Sequence, residues 1–140
     1  MDCLATINQE LFSFGETAEQ LSDFFQGHPR ILICIAFQEG RPVGFKAGFE
    51  DLPSSFDSWR GGVVETARRQ GIAMELMRLQ HRWCEKNEFR VIKTTTTNSN
   101  VPMLILNLRS GFQVVGSVVN RRKHLKLLQE KWLVPNEASE

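Results

Sequence analysis

Six consecutive residues, Arg68-Arg69-Gln70-Gly71-Ile72-Ala73, carry the most readable chemistry in this chain. They open a segment with helical apolar spacing. The backbone N–H groups from Gly71 to Met74 therefore fall in a first turn, where no intrahelical carbonyl is available and the helix dipole is positive. Gly71 lets the main chain approach a ligand closely, Ala73 keeps the turn free of bulk, and Arg68 and Arg69 bring positive charge. Such a set cradles an anion the size of a pyrophosphate. A nucleotide phosphate is a rival occupant, but the Gly-Lys-Ser/Thr ending of a phosphate-loop NTPase is absent. A purely structural turn is the other alternative.

Other residues could act on what the cradle holds. Gly61 and Gly62 sit in the strand that leads to it, and paired glycines mark a bulge or a place where a ligand or another backbone comes close. Among carboxylates, Glu50, Asp51 and Glu65 fall near the expected mouth, with Glu50 the preferred proton acceptor; the alternative is that Glu50 merely begins a solvated loop. His81, between Arg78 and Arg82 on the helix, reads as a solvated or partly packed histidine. Cys3, Cys34 and Cys84 have no metal-type spacing and read as buried free thiols, so no metal is expected.

The elements that must position these residues follow from periodicity. Residues 2–14 place Leu4, Ile7, Leu11 and Phe14 at helical spacing, with Asp2 placed to cap the first turn. Residues 17–25 repeat the pattern over a shorter span. The run ILICIAF from Ile31 to Phe37 reads as a strand covered on both faces, turning through Glu39-Gly40-Arg41-Pro42 into a partner strand, Val43 to Phe49. Glu50 to Asp57 reads as a loop, and Ser58 to Val64 as the strand before the cradle. The helix that follows runs to about Asn87 with Ile72, Leu76, Leu79 and Trp83 inward, and Met74 and Met77 packing beside them. Arg90 to Thr96 is the next strand. Asn100 caps a helix with Pro102 in its first turn and Gly111 at its end, and Gln113 to Val119 and Leu125 to Trp132 close the chain, followed by a frayed tail from Pro135.

This order predicts one domain over residues 1–140, of the α/β (α+β) class, with a mixed, mostly antiparallel sheet flanked by helices. At 140 residues and 41% hydrophobic composition the chain can build a core alone. A formal net charge of +1 gives no global attraction to nucleic acid. The basic run Arg121-Arg122-Lys123 lies in a turn without aromatic neighbours, and no stretch is apolar for the length of a membrane span. A cytoplasmic protein with no nucleic-acid or membrane partner is expected.

Arg-x-x-Gly-x-Ala at the start of a helix resembles the acetyl-CoA signature of the GNAT superfamily of N-acetyltransferases. Asn100-Val101-Pro102-Met103, Asn107 and Gly111-Phe112 are similar in spacing to that family's second block, and the resemblance spans roughly Ile31 to Trp132. It implies acetyl-CoA as cosubstrate, held by Gly61, Gly62, Val63, Arg68, Arg69, Gln70, Gly71, Ile72, Ala73, Met74, Asn100 and Asn107. The implied reaction is direct attack of a primary amine on the thioester, with a small molecule or peptide as acceptor. The family often protonates the leaving sulfur with a tyrosine; here that position is Asn107 and the chain has no tyrosine. Asn107 is then expected to position the cofactor. A CoA-binding module with little transfer is the alternative. The family's usual first strand has no counterpart before Leu4, which leaves ILICIAF as a sheet edge and predicts either a homodimer or cover from the N-terminal helices.

Overall fold

The computed structural model describes residues 1–135, so the frayed tail expected from Pro135 falls, but for that proline, outside the described residues. Two helices lead the chain, α1 (Asp2–Leu11) and α2 (Ala18–Gln26), followed by strands β1 (Leu32–Gln38), β2 (Arg41–Leu52) and β3 (Ser55–Val63). A single 3-10 turn (Glu65–Ala67) leads to α3 (Ile72–Lys86), β4 (Val91–Thr97), α4 (Val101–Arg109), β5 (Gln113–Val119) and β6 (Leu125–Trp132). The strands form one sheet in the order β1-β2-β3-β4-β6-β5. Every neighbouring pair is antiparallel except β3 and β4, which the α3 crossover makes parallel.

Local sequence accounts for most boundaries. Thr17 and Gln20 bond each other's backbone N–H in a capping box that starts α2. Asn100 caps α4 by accepting from the Met103 N–H, and Gly111 follows that helix with φ +101°. Asp2 does not cap α1: it lies inside the first turn, Met1 holds the cap position, and no side chain bonds there.

Five expectations need correction. Glu50 to Asp57 is not a loop: β2 continues to Leu52, Pro53 and Ser54 make a two-residue turn, and Ser55 opens β3, so β2 and β3 form a long hairpin. β1 is the sheet edge, as expected, but its two faces are only partly covered: Cys34 alone is fully buried, Leu32, Ile33, Ile35 and Ala36 are partly buried against the core, and Phe37 is about half exposed. The N-terminal helices do not shield that edge; α1 packs on β2 instead. The buried face of α3 is Leu76, Met77, Gln80, His81 and Cys84, rotated from the expected stripe, and Leu79 is 47% exposed beyond the rim of β1. Cys3 is exposed, whereas Cys34 and Cys84 are the buried thiols expected.

The core has two lobes. Leu4, Ile7, Leu21, Phe25, Phe45 and Phe49 join α1 and α2 to β2. Phe56, Met77, Cys84, Phe89, Ile92 and Phe112 join α3 to the parallel strands. No described helix is long and apolar enough to cross a membrane.

Candidate active site

β3 and β4 pair over only three residues, Ser55 with Val91, Phe56 with Ile92 and Asp57 with Lys93. Thr94 Oγ1 makes one further link to the Ser58 carbonyl at 3.2 Å, and then the strands part. β3 keeps its pairing with β2 through Gly61, Gly62 and Val63, opposite Lys46, Phe45 and Gly44, while β4 stays paired with β6 along its whole length. A split opens between them, and a cavity of about 450 Å³ fills it.

The cavity passes through the sheet. A Cβ on Gly44 would meet Ile72 and Leu76 of α3, whereas one on Gly62 would lie 2.9 Å from Leu11 of α1, so neighbouring positions look toward helices on opposite faces. Both helices reach the cavity, α1 through Leu11 and α3 through Ala73 and Leu76; α4 closes the far side with Asn100, Met103 and Leu106. Gly61 and Gly62 are therefore not bulge residues, as their pairing suggested. The register is regular there, and the bulge lies a little earlier on β3, where Asp57 to Arg60 spans three residues against two from Ala47 to Phe49 on β2. Their missing side chains make room for the Lys46 stem and for Leu11 respectively.

Antiparallel alternation fixes where the main chain of β3 points. The Val64 N–H bonds the Val43 carbonyl, so Gly62 also faces β2, and the N–H and C=O groups of Gly61 and Val63 face the split. The Val63 carbonyl accepts from Arg68 Nε at 2.9 Å, which holds that guanidinium at the cavity wall.

The turn expected to cradle an anion has the required conformation. Gly71 is the N-cap of α3 with φ 78° and ψ 8°, left-handed, and nothing lies within 4 Å of where its Cβ would be. The first helical bond runs from the Glu75 N–H to the Gly71 carbonyl, which leaves the N–H groups from Gly71 to Met74 without intrahelical acceptors. Side chains in this turn diverge. Arg69 also has positive φ and is exposed, Gln70 accepts from Gln38 Nε2 at 2.7 Å and so turns toward β1, and Ile72 packs over Gly44. Met74 points away from the cavity toward Ser110, so its backbone alone belongs to the cradle.

Two expected site residues lie elsewhere. Glu50 pairs with Phe56 at the opposite end of the β2–β3 hairpin from Val63, bound to Arg30 at 3.1 Å and accepting from the Ser54 N–H. Reading residues 50–57 as a loop placed it at the mouth; as part of a continuing strand it is carried away. Asn107 is 2% exposed and gives both amide hydrogens to Thr96 Oγ1 and Gln129 Oε1, each at 3.1 Å. On α4 the cavity-facing row is Asn100, Met103 and Leu106, so position 107 turns toward β4 and β6 and ties them to the helix. Of the other carboxylates considered, Asp51 is paired with Lys93 at 2.9 Å and Glu65 is exposed in the 3-10 turn.

Two groups escaped the sequence reading. Asp57 is the last β3 residue paired with β4, at the vertex of the split, and burial, with the Asp51 charge, pushes its carboxyl above the usual range against the pull of Lys93 and His28. Lys46 lines the cavity beside Gly61, and burial pushes its ammonium down to about 8. A lone lysine inside the apolar strand VGFKAGF was the signal for it. His81, on the buried face of α3, is pushed down to about 3 by burial and by Lys131, whose Nζ lies 2.9 Å from its Nδ1.

A sheet split in its middle, with unpaired N–H groups at a helix start at its mouth, suits an elongated ligand that ends in phosphates. The family model described as "Acetyltransferase (GNAT) family" matches residues 1–112, and the chain belongs to that family, for which transfer of an acetyl group from acetyl-CoA is general. Solved structures share the fold. The ribosomal-protein-S18-alanine N-acetyltransferase from Escherichia coli superposes with a TM-score of 0.80 at 15% identity, over 96% of this chain and 89% of that one. The IAA acetyltransferase from Bacillus cereus gives 0.74 at 18% identity, over 95% and 96%. A putative streptothricin acetyltransferase from Bacillus anthracis, in complex with acetyl coenzyme A, gives 0.69 at 17% identity, over 76% and 64%. No curated protein matches the chain in sequence.

Proposed function

We propose that this chain transfers the acetyl group of acetyl-CoA to a primary amine by direct attack of the amine on the thioester. The observation that carries the reading is the parting of β3 from β4 directly after Asp57 and Lys93, with the split-facing N–H groups of Gly61 and Val63 along one wall and the α3 start at the mouth. These residues fit the cosubstrate. The N–H groups from Gly71 to Met74 and the Arg68 guanidinium meet the pyrophosphate, and the open space over Gly71 admits it. Gly61 and Val63 offer the pantetheine amides the bonding of an added strand. The Gly61 N–H, the split-facing donor nearer the vertex, stands where it can polarise a carbonyl.

The acceptor ammonium must lose a proton before it attacks; Asp57, the one carboxylate on β3, stands at the vertex of the split outside the cavity wall and would take that proton through water. Burial raises its basicity toward what that task needs. Glu50, held by Arg30 at the far end of the hairpin, takes no part. A CoA-binding module without transfer is the second reading, favoured by a cavity wall whose ionisable groups are Lys46 and Arg68 alone.

Thiol release from acetyl-CoA, screened over amines, amino acids and peptides, separates the two. Transfer predicts at least one amine that accelerates release well above hydrolysis, and a screen with no such amine would leave the module reading. With that amine in hand, Asp57→Asn should lower turnover by roughly a hundredfold while Glu50→Gln leaves it unchanged. Full turnover in Asp57→Asn removes Asp57 from the mechanism.

A further inference from the structure

Lys46 has no part in the transfer described above, yet it stands inside the transfer cavity. It pairs in register with Gly61, and its Cγ lies 3.3 Å from the position a Gly61 Cβ would take, so the stem runs across β3 over the one residue that leaves it room. The four-carbon lysine stem is long enough to cross the strand spacing of about 4.8 Å. The ammonium therefore reaches the edge of β3 that faces the split. Lys46 takes part in none of the four ion pairs among the described residues.

We propose that Lys46 is a self-acetylation site, its Nζ taking the acetyl group of acetyl-CoA when no acceptor occupies the cavity. This rests on the acetyl-CoA reading of the cavity. The neutral amine attacks the thioester carbonyl carbon: the C–N bond forms, the C–S bond breaks with its electron pair going to sulfur, and the surplus amine proton passes to the CoA thiolate. The products are N-acetyl-lysine and free CoA thiol. The titratable groups around Nζ are the Cys34 thiol on β1, the Arg68 guanidinium at the wall and His81 on α3. None is a carboxylate that would hold the ammonium charged, and burial brings the amine into its neutral form near pH 8. The added acetyl group is bulky and removes the charge, so the modified chain should bind acetyl-CoA more weakly.

The test uses the full chain and acetyl-CoA alone, read by intact-mass spectrometry and peptide mapping, with the acetyl-CoA-induced rise in melting temperature measured in parallel. The expected result is one acetyl group on Lys46, gained faster as the pH is raised through about 8, suppressed by free CoA, and acquired at least about tenfold faster than on the surface lysines. Lys46→Arg and Lys46→Met should lose that modification while still melting cooperatively. If acetyl-CoA raises the melting temperature and Lys46 stays unmodified, or label spreads evenly over the lysines, self-acetylation is overturned and the cavity reading stands. If acetyl-CoA does not raise the melting temperature, both fall.

Discussion

Replacing Gly71 by Asp and by Asn isolates the charge at the cradle. Gly71 has a left-handed backbone and open space around its missing Cβ, and Asn and Asp are the non-glycine residues that adopt this conformation most readily. Both also suit a helix N-cap. The two ligand-free variants should therefore lie within about 1 kcal/mol of each other, a few degrees in melting temperature. At about 100 times its dissociation constant, acetyl-CoA should stabilise the parent by roughly 2.7 kcal/mol, or on the order of 10 °C. A carboxylate about 5 Å from one phosphate charge costs on the order of 3 kcal/mol at an effective dielectric of about 20. That weakens binding more than a hundredfold, so the same ligand concentration should stabilise Gly71→Asp by only about 0.4 kcal/mol or less. Gly71→Asn should keep most of the parent shift. Thermal unfolding with and without acetyl-CoA reads all three proteins, and equal shifts in the Asp and Asn variants would refute the placement of the phosphates at this turn.

Asn107→Ala should destabilise the fold by about 1–3 kcal/mol, because it orphans the buried Thr96 and Gln129 acceptors, while leaving the acetyl-CoA dissociation constant unchanged. Urea unfolding and calorimetric titration check the two halves, and weakened binding with intact stability would return Asn107 to the cofactor site. His81 sets an acid limit. Burial and Lys131 push its folded pKa down to about 3 from the ordinary 6.5, so as the pH falls below about 6.5 the unfolded chain takes up a proton that the folded chain refuses, and stability declines toward pH 3. His81→Phe should flatten that decline in urea midpoints measured between these pH values; an unchanged slope would assign the acid lability to other groups.

The reading of the cradle was available from local sequence because its determinants are local. A glycine before a helical apolar stripe, a small residue two positions on and flanking arginines specify a left-handed N-cap with free N–H donors whatever surrounds them. The β1–β2 hairpin and the Asn100 cap were legible for the same reason. The register of β2 against β3 was not, because a hairpin that continues past a bulge differs from a strand ending in a loop only through its partner. That register carried Glu50 to the far end and put Asp57 at the vertex. The rotation of α4 about its axis, which hides Asn107 and presents Met103 and Leu106, was set by the sheet it packs on. Lys46 gained its place in the cavity only when β4 left β3 unpaired, since before that parting the same position is one more interior strand residue. Sequence period determines which residues share a face; pairing between distant segments decides what that face meets.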